Sequence, residues 1–276
     1  MCNFFVCTAP PATSKYSLVV LAIRDEVLVR PTAKADWRDG VLAGIDLQDP
    51  ARGTWFGVTE SGRVAALVSI TQLREEKRSD VISRGTIPHR YLRTEDTSQF
   101  WEEITSNSQH FNGFTFIGLK RNSASGHFDM KSLTNTLVDE VAVKEWAPGS
   151  YVIGNCPPHT TYAKIERGRN LFEGVLAGID EFTKDEEIVK RLIELGNDRK
   201  VCWPDAQLSS QVNEFDARGL ASIFVRYGDP AVYGTRSFSV LLVDKDGAGV
   251  MHERRLVHYE KDNEQWEEQR FSFHLK

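Results

Sequence analysis

The sequence predicts an α+β fold, a four-layer αββα sandwich of two stacked antiparallel sheets with helices outside them. Extended runs fill the beginning and end of the 276 residues, and helical periodicity is confined to the middle, so the order is strands, helices, strands. The run Val64-Ala65-Ala66-Leu67-Val68-Ser69-Ile70 is apolar on both faces, as a strand covered on each side must be. No internal repeat, low-complexity tract or Pro/Gly-rich linker breaks the pattern, and one domain spanning 1–276 is expected.

Taken in order, Asn3 to Val6, Leu18 to Ile23, Thr54 to Val58 and Arg63 to Ile70 read as strands, because apolar residues concentrate in short runs there. Ala9-Pro10-Pro11, Arg30-Pro31, Arg52-Gly53 and Ser61-Gly62 punctuate them as turns rather than long crossovers. Helical spacing appears from Thr97 to Gln109, where Phe100, Trp101 and Ile104 share one face. A longer helical region runs from about Thr160 to Leu195. Within it Thr183-Lys184-Asp185-Glu186 has capping-box spacing, and Ile188, Leu192 and Leu195 follow at helical intervals, so a second helix is expected to begin there. After Pro204 strands return over Ala221 to Tyr227, Ser237 to Asp244, Val250 to Tyr259 and Gln269 to Leu275, with Asp246-Gly247 as a hairpin turn.

Composition narrows the function classes. With 34 basic and 39 acidic residues, a net charge of -5 and a pI near 5.9, the chain has no electrostatic footprint for gripping nucleic acid. Cys2, Cys7, Cys156 and Cys202 are too few and too irregularly spaced for a disulfide framework, which indicates a reducing compartment. The apolar stretch Tyr16 to Ile23 is far shorter than the ~20 residues of a membrane helix, and no basic segment precedes a signal core. A cytoplasmic, non-secreted protein without a transmembrane segment is expected. The first fifteen residues contain one basic side chain, unlike an Arg-rich transit peptide, although mitochondrial or organelle-associated placement stays open.

Cys2 follows the initiator Met1 directly, and a small second residue permits removal of that methionine. An N-terminal cysteine sets a thiol of pKa ~8.5 beside an α-amine of pKa ~8, so the amine can act as base while the thiol attacks an acyl carbon. The structural alternative is that Cys2 only opens the buried strand Asn3-Phe4-Phe5-Val6.

Met1-Cys2 with aromatics behind it, followed by Leu21-Ala22-Ile23-Arg24-Asp25-Glu26 and Arg30-Pro31, resembles the signature of the NRDE family, also named Transport and Golgi Organization 2. Further matches run nearly end to end: Gly53-Thr54-Trp55-Phe56-Gly57, Gly62-Arg63-Val64-Ala65-Ala66-Leu67, Phe111-Asn112-Gly113-Phe114, Gly149-Ser150-Tyr151 with Gly154-Asn155, and Tyr233-Gly234-Thr235-Arg236. The resemblance implies a sandwich similar to N-terminal-nucleophile hydrolases, a role in moving haem out of organelles, placement in cytoplasm and mitochondria, and a link to Golgi organisation and lipid metabolism. The sequence departs from the family pattern in two places. Its Asn before Arg24 is Ile23, which is expected to remove a polar group beside the site, and its Thr-Asn after the Ala-Ala-Leu strand reads Val68-Ser69. Cys2, Arg24, Asp25, Asn155 and Arg236 remain, of types suited to nucleophile, thiolate stabiliser, amine orienter, oxyanion donor and carboxylate clamp.

A haem carrier needs an apolar slot, cations for two propionates and a weak axial ligand. Cys156-Pro157 resembles a short motif of haem-responsive proteins, and His159 lies just behind it, so one loop is a candidate to present a thiolate or imidazole to iron; read structurally, Asn155-Cys156-Pro157-Pro158 is a turn leading into a helix. A zinc site lacks two further ligands at suitable spacing, and the remaining histidines show no i,i+4 pairing. Arg121, Arg167, Arg169 and Arg254-Arg255 have acidic neighbours and read as solvated surface. The expectation from sequence is therefore a haem chaperone with haem as cargo, no other cofactor and no bound metal. Acceptor haemoproteins are its expected partners, and transient membrane contact and self-association are left open. Its alternatives are a cysteine amidohydrolase or thioesterase using Cys2, or a binding module for acyl-coenzyme A or lipid.

Overall fold

Strands that are apolar on both faces organise the architecture, because each must be covered twice. A computed structural model describes residues 2–228, 231–261 and 263–276, and for residues 74, 214 and 215 the backbone alone. The chain begins with β1 (Asn3–Cys7), β2 (Tyr16–Val27), β3 (Thr32–Arg38), β4 (Val41–Asp46), β5 (Phe56–Thr59) and β6 (Arg63–Ser69), then α1 (Thr86–Arg93) and α2 (Thr97–Ser106). Four strands follow, β7 (Phe114–Arg121), β8 (Phe128–Thr134), β9 (Val143–Trp146) and β10 (Ser150–Ile153). The helices α3 (Ala163–Ala177), α4 (Asp185–Gly196), α5 (Ala206–Ser209) and α6 (Glu214–Leu220) lead into β11 (Arg226–Gly228), β12 (Ala231–Asp244), β13 (Ala248–Glu260) and β14 (Asn263–His274).

Two antiparallel sheets result, ordered β10-β1-β2-β12-β13-β14 with β11 on β12, and β3-β4-β5-β6-β7-β8-β9. Phe4, Val6, Leu18, Val20 and Ala22 of the first sheet meet Leu42, Phe56, Val58, Val64, Ala66 and Val68 of the second. The other face of β1, β2 and β12, with Phe5, Leu21, Ile23 and Phe238, is covered by Phe172 and Leu176 of α3 and Ile188 and Leu192 of α4. On the second sheet Ala65, Leu67, Phe114 and Phe116 pack against Ile87, Tyr91 and Leu92 of α1 and Phe100, Trp101 and Ile104 of α2. These are the four layers αββα, with Val64 and Leu67 on opposite faces of one strand.

Two local expectations need correction, and a third, the Asp246-Gly247 turn, holds with one residue added. The run 221–227 is buried at Ala221, Ile223, Phe224 and Val225, but it is an irregular connection under α3 and α4, and only Arg226–Gly228 pairs as a strand. A short apolar run cannot by periodicity alone be told from a strand. The capping box does not close: Thr183 Oγ1 donates to Asp180 Oδ1 at 2.6 Å, the cap falls on Lys184, and Glu186 pairs with Arg270. Asp185, Glu186 and Glu187 still place negative charge on the first turn of α4, where the helix dipole favours it. The hairpin between β12 and β13 uses Lys245, Asp246 and Gly247 together, with Gly247 at φ 97°, a left-handed conformation that glycine adopts without strain.

Candidate functional site

Alternation along β1 and β2 decides which side chains reach which space. Even-numbered residues from Leu18 to Ala22 face the second sheet and odd-numbered ones face α3 and α4. Arg24 therefore extends the inter-sheet face. Asn3 pairs with Ile23, so Cys2, one residue earlier, comes beside Arg24. Where this inter-sheet core ends, the sandwich opens into a cleft of about 520 Å3 whose lining includes Cys2, Arg24, Asp25, Trp55, Arg84 and Asn155.

Arg24 is 5% exposed and ties the two sheets together: its guanidinium lies 4.3 Å from the centre of the Trp55 ring and reaches Asp46 at 3.5 Å and Glu26 at 3.6 Å. Arg30 completes the network through Asp46 at 2.7 Å. Burial lowers the pKa of Arg24, and Glu26, Cys2 and Asp46 oppose that shift. Asp25 is buried, accepts the Thr235 hydroxyl at 2.7 Å and, through its carbonyl, the Tyr233 hydroxyl at 3.0 Å. Burial raises its carboxyl, while Lys164 and Arg226 act to lower it. Among the described residues the Cys2 thiol makes one long hydrogen-bond contact, 4.0 Å to the Asp25 carbonyl, and burial pushes its pKa up in spite of the Arg24 charge. Met1 lies outside the described residues.

Asn155 joins this group from the segment after β10. Its side-chain amide donates to the Ser69 carbonyl, and its backbone carbonyl accepts from Thr71 N at 2.9 Å and the Tyr162 hydroxyl at 3.3 Å. Arg236 does not line the cleft. Its guanidinium donates to the carbonyls of Val27, Arg30 and Leu256, holding the turn after β2, and burial pushes it down to about 10. Ile23 is 2% exposed among the residues facing α3 and α4, so the departure from the family's Asn changes the core under the sheet and not the cleft. Val68 belongs to the inter-sheet core, and Ser69 lines the cleft.

Cys156 and His159 separate. Cys156 lines a second cavity of about 400 Å3 with Trp146, Tyr151, Val152 and Ile165, whereas exposed His159 lines a neighbouring groove with Gln72, Leu137 and Gln211. Burial raises the Cys156 thiol. Sequence reading did not single out Lys77, Arg84 or Lys164. Lys164 is fully buried in the first turn of α3 and donates to the Ser222 carbonyl at 3.2 Å; burial lowers its pKa, opposed by Asp25 and Cys2. Among the described residues no group of three or more His, Cys, Asp or Glu is placed to hold a metal ion, and no helix is long and apolar enough to cross a membrane.

Fold and site together define a class: four-layer αββα proteins whose first strand is headed by a cysteine that opens on a charged cleft between the sheets. The sequence matches the family described as Transport and Golgi organisation 2 over residues 1–258, and the chain belongs to that family. It is 28% identical to the Transport and Golgi organization 2 homolog of Mus musculus over 286 residues, covering all of both chains. Identity to the Drosophila melanogaster Transport and Golgi organization protein 2 is 30% over 260 residues, 89% of each chain. Solved structures with a similar course include the Caenorhabditis elegans ortholog of N-acylethanolamine-hydrolyzing acid amidase, at TM-score 0.44 and 9% identity over 88% of this chain and 92% of that one. A mutant of conjugated bile acid hydrolase from Clostridium perfringens has TM-score 0.47 and 10% identity over 98% and 92%.

Proposed function

We propose that the protein is a haem carrier that binds haem transiently in the Cys2 cleft and passes it from haem-rich organelles to acceptor haemoproteins. The observation that supports this most is the composition of the cleft: about 520 Å3 lined by Trp55, Leu67, Ile70 and Tyr233 for a macrocycle, by Lys77 and Arg84 for acid groups, and by the Cys2 thiol for iron. Family membership points the same way through the expectation attached to it. A thiol held protonated by burial must lose its proton to ligate iron, which makes the bond weak enough for a ligand that has to leave again.

Haem affinity is therefore expected to rise with pH, by up to about tenfold per unit between roughly pH 6.5 and 8.5, because the proton competes with iron while the haem carboxylates stay ionised. Soret titrations at several pH values measure it, and a flat profile removes Cys2 as the ligand. The carrier itself is tested by mixing haem-loaded protein with an apo-haemoprotein. Saturable loading followed by complete transfer is the expected result, and haem that neither saturates nor transfers rules the carrier out.

One observation favours a second reading, acyl chemistry by Cys2: Arg24, Asp25 and Asn155 line the same cleft as the thiol. Three others weigh against it. Burial disfavours the nucleophilic thiolate, the Asn155 amide is engaged by Ser69, and Arg236 is directed at backbone carbonyls. This reading requires an acyl adduct on Cys2 of a chain lacking Met1, visible by intact mass after incubation with a thioester.

A further inference from the structure

Most charged groups lining the cleft have partners that account for them. Glu26 and Asp46 hold Arg24 and Arg30. Asp49 Oδ1 accepts Ala51 N at 2.9 Å, Asp216 takes the Tyr227 hydroxyl, and Asp25 takes that of Thr235. Two cations are left over. Among the described residues neither Lys77 nor Arg84 has a carboxylate within ion-pair distance, and the one hydrogen bond of the Arg84 guanidinium runs from Nη1 to the Gly113 carbonyl at 2.8 Å. Arg84 has five N–H donors in a planar fork, so most of its donors remain for a ligand.

The backbone explains why these charges sit over the cleft. Gly53 and Gly85 approach so closely that a Cβ on Gly53 would lie 2.4 Å from the Gly85 carbonyl carbon, and Thr54 N donates to the Gly85 carbonyl at 3.0 Å. This contact fixes the segment between β6 and α1, which carries both cations, against the connection between β4 and β5. Arg84 is close enough to Cys2 and Glu26 for their charges to act on it, and Lys77 is close enough to feel Arg84 and Glu26.

We propose that Lys77 and Arg84 form an oxyanion clamp through which the cleft selects amphipathic ligands bearing a carboxylate or phosphate over their neutral counterparts. The proposal rests on the cleft's being the ligand site and deepens that reading by naming the groups that recognise the acid end. The charge-assisted, two-pronged contact that Arg84 can make to either anion supplies the discrimination, and Lys77 adds a point charge.

The test follows intrinsic tryptophan fluorescence, to which Trp55 in the cleft wall contributes, on titration with haem, haem dimethyl ester, laurate, lauryl phosphate and lauryl alcohol. Wild type is compared with the K77Q/R84Q double variant and with R84K. Wild type should bind the acids on the order of tenfold more tightly than the ester and the alcohol. The double variant should bring the two kinds of ligand to within about twofold without weakening the neutral ones, and R84K should retain part of the preference. Laurate against lauryl phosphate decides which oxyanion the clamp prefers. If laurate shows the pattern and haem does not bind, the clamp stands and the haem reading falls. Saturable haem binding with equal affinity for its ester leaves the carrier and overturns the clamp, as does an acid preference that survives in the double variant. Failure of every probe to bind wild type overturns both.

Discussion

Gly53→Val is expected to lower the thermal midpoint by several degrees and to weaken ligand binding on the order of tenfold, because the atom it adds meets backbone rather than a side chain that can rotate away. A Cβ at position 53 would stand 2.4, 2.5 and 2.6 Å from the carbonyl carbon, oxygen and Cα of Gly85. Relief requires the two segments to part, which breaks the Thr54 N to Gly85 carbonyl bond and moves both the start of α1 and the neighbouring Arg84. The cost belongs at the upper end of the ~1–3 kcal/mol typical of overpacking. Gly174→Ala is the matched control: nothing lies within 4 Å of a Cβ there, and within α3 the change should stabilise by up to about 1 kcal/mol. Differential scanning fluorimetry of the two variants decides. An unchanged midpoint for Gly53→Val contradicts the close backbone contact.

Phe116→Ala should destabilise by about 3–5 kcal/mol, the range for removing a large buried ring. Phe116 is fully buried, and its ring centre lies 5.4 Å from Tyr91, 5.4 Å from Phe100 and 5.3 Å from Trp101, so it joins β7 to both α1 and α2. The edge-on and tilted geometry adds to the area term. Its side chain belongs to the core between the second sheet and its helices, away from Cys2, so haem affinity of the folded fraction should not change. Urea unfolding gives the number, and a loss under about 1 kcal/mol means that the helical layer is not held by this cluster.

The layers were legible because the two-faced apolar strand at 64–70 admits few architectures, and the helices because Phe100, Trp101 and Ile104, or Ile188 and Leu192, repeat at helical intervals. The cleft was legible only in part. Cys2, Arg24, Asp25 and Asn155 line one cleft, whereas Arg236 stabilises a turn, and Ile23 alternates to the helix side of its strand. Neighbouring residues in sequence need not share a space: the Pro157-Pro158 turn sends Cys156 and His159 into different cavities. Lys77 and Arg84 escaped notice because nothing local shows that Glu26 and Asp46, nearby in the cleft, are already paired. Lys164 is hidden for a similar reason, since a lysine in the first turn of a helix is ordinarily solvated and only the covering of α3 buries it.

The most direct test of the carrier account is a haem titration of wild type against Cys2→Ala, with Cys156→Ala and His159→Ala in parallel, followed by absorbance and by transfer to an apo-haemoprotein. The account predicts a saturable shifted Soret band and transfer in wild type, retained in the Cys156 and His159 variants and lost or strongly weakened with Cys2→Ala. An unchanged Soret band in Cys2→Ala together with its loss in Cys156→Ala would move haem to the second cavity and contradict the assignment to the Cys2 cleft.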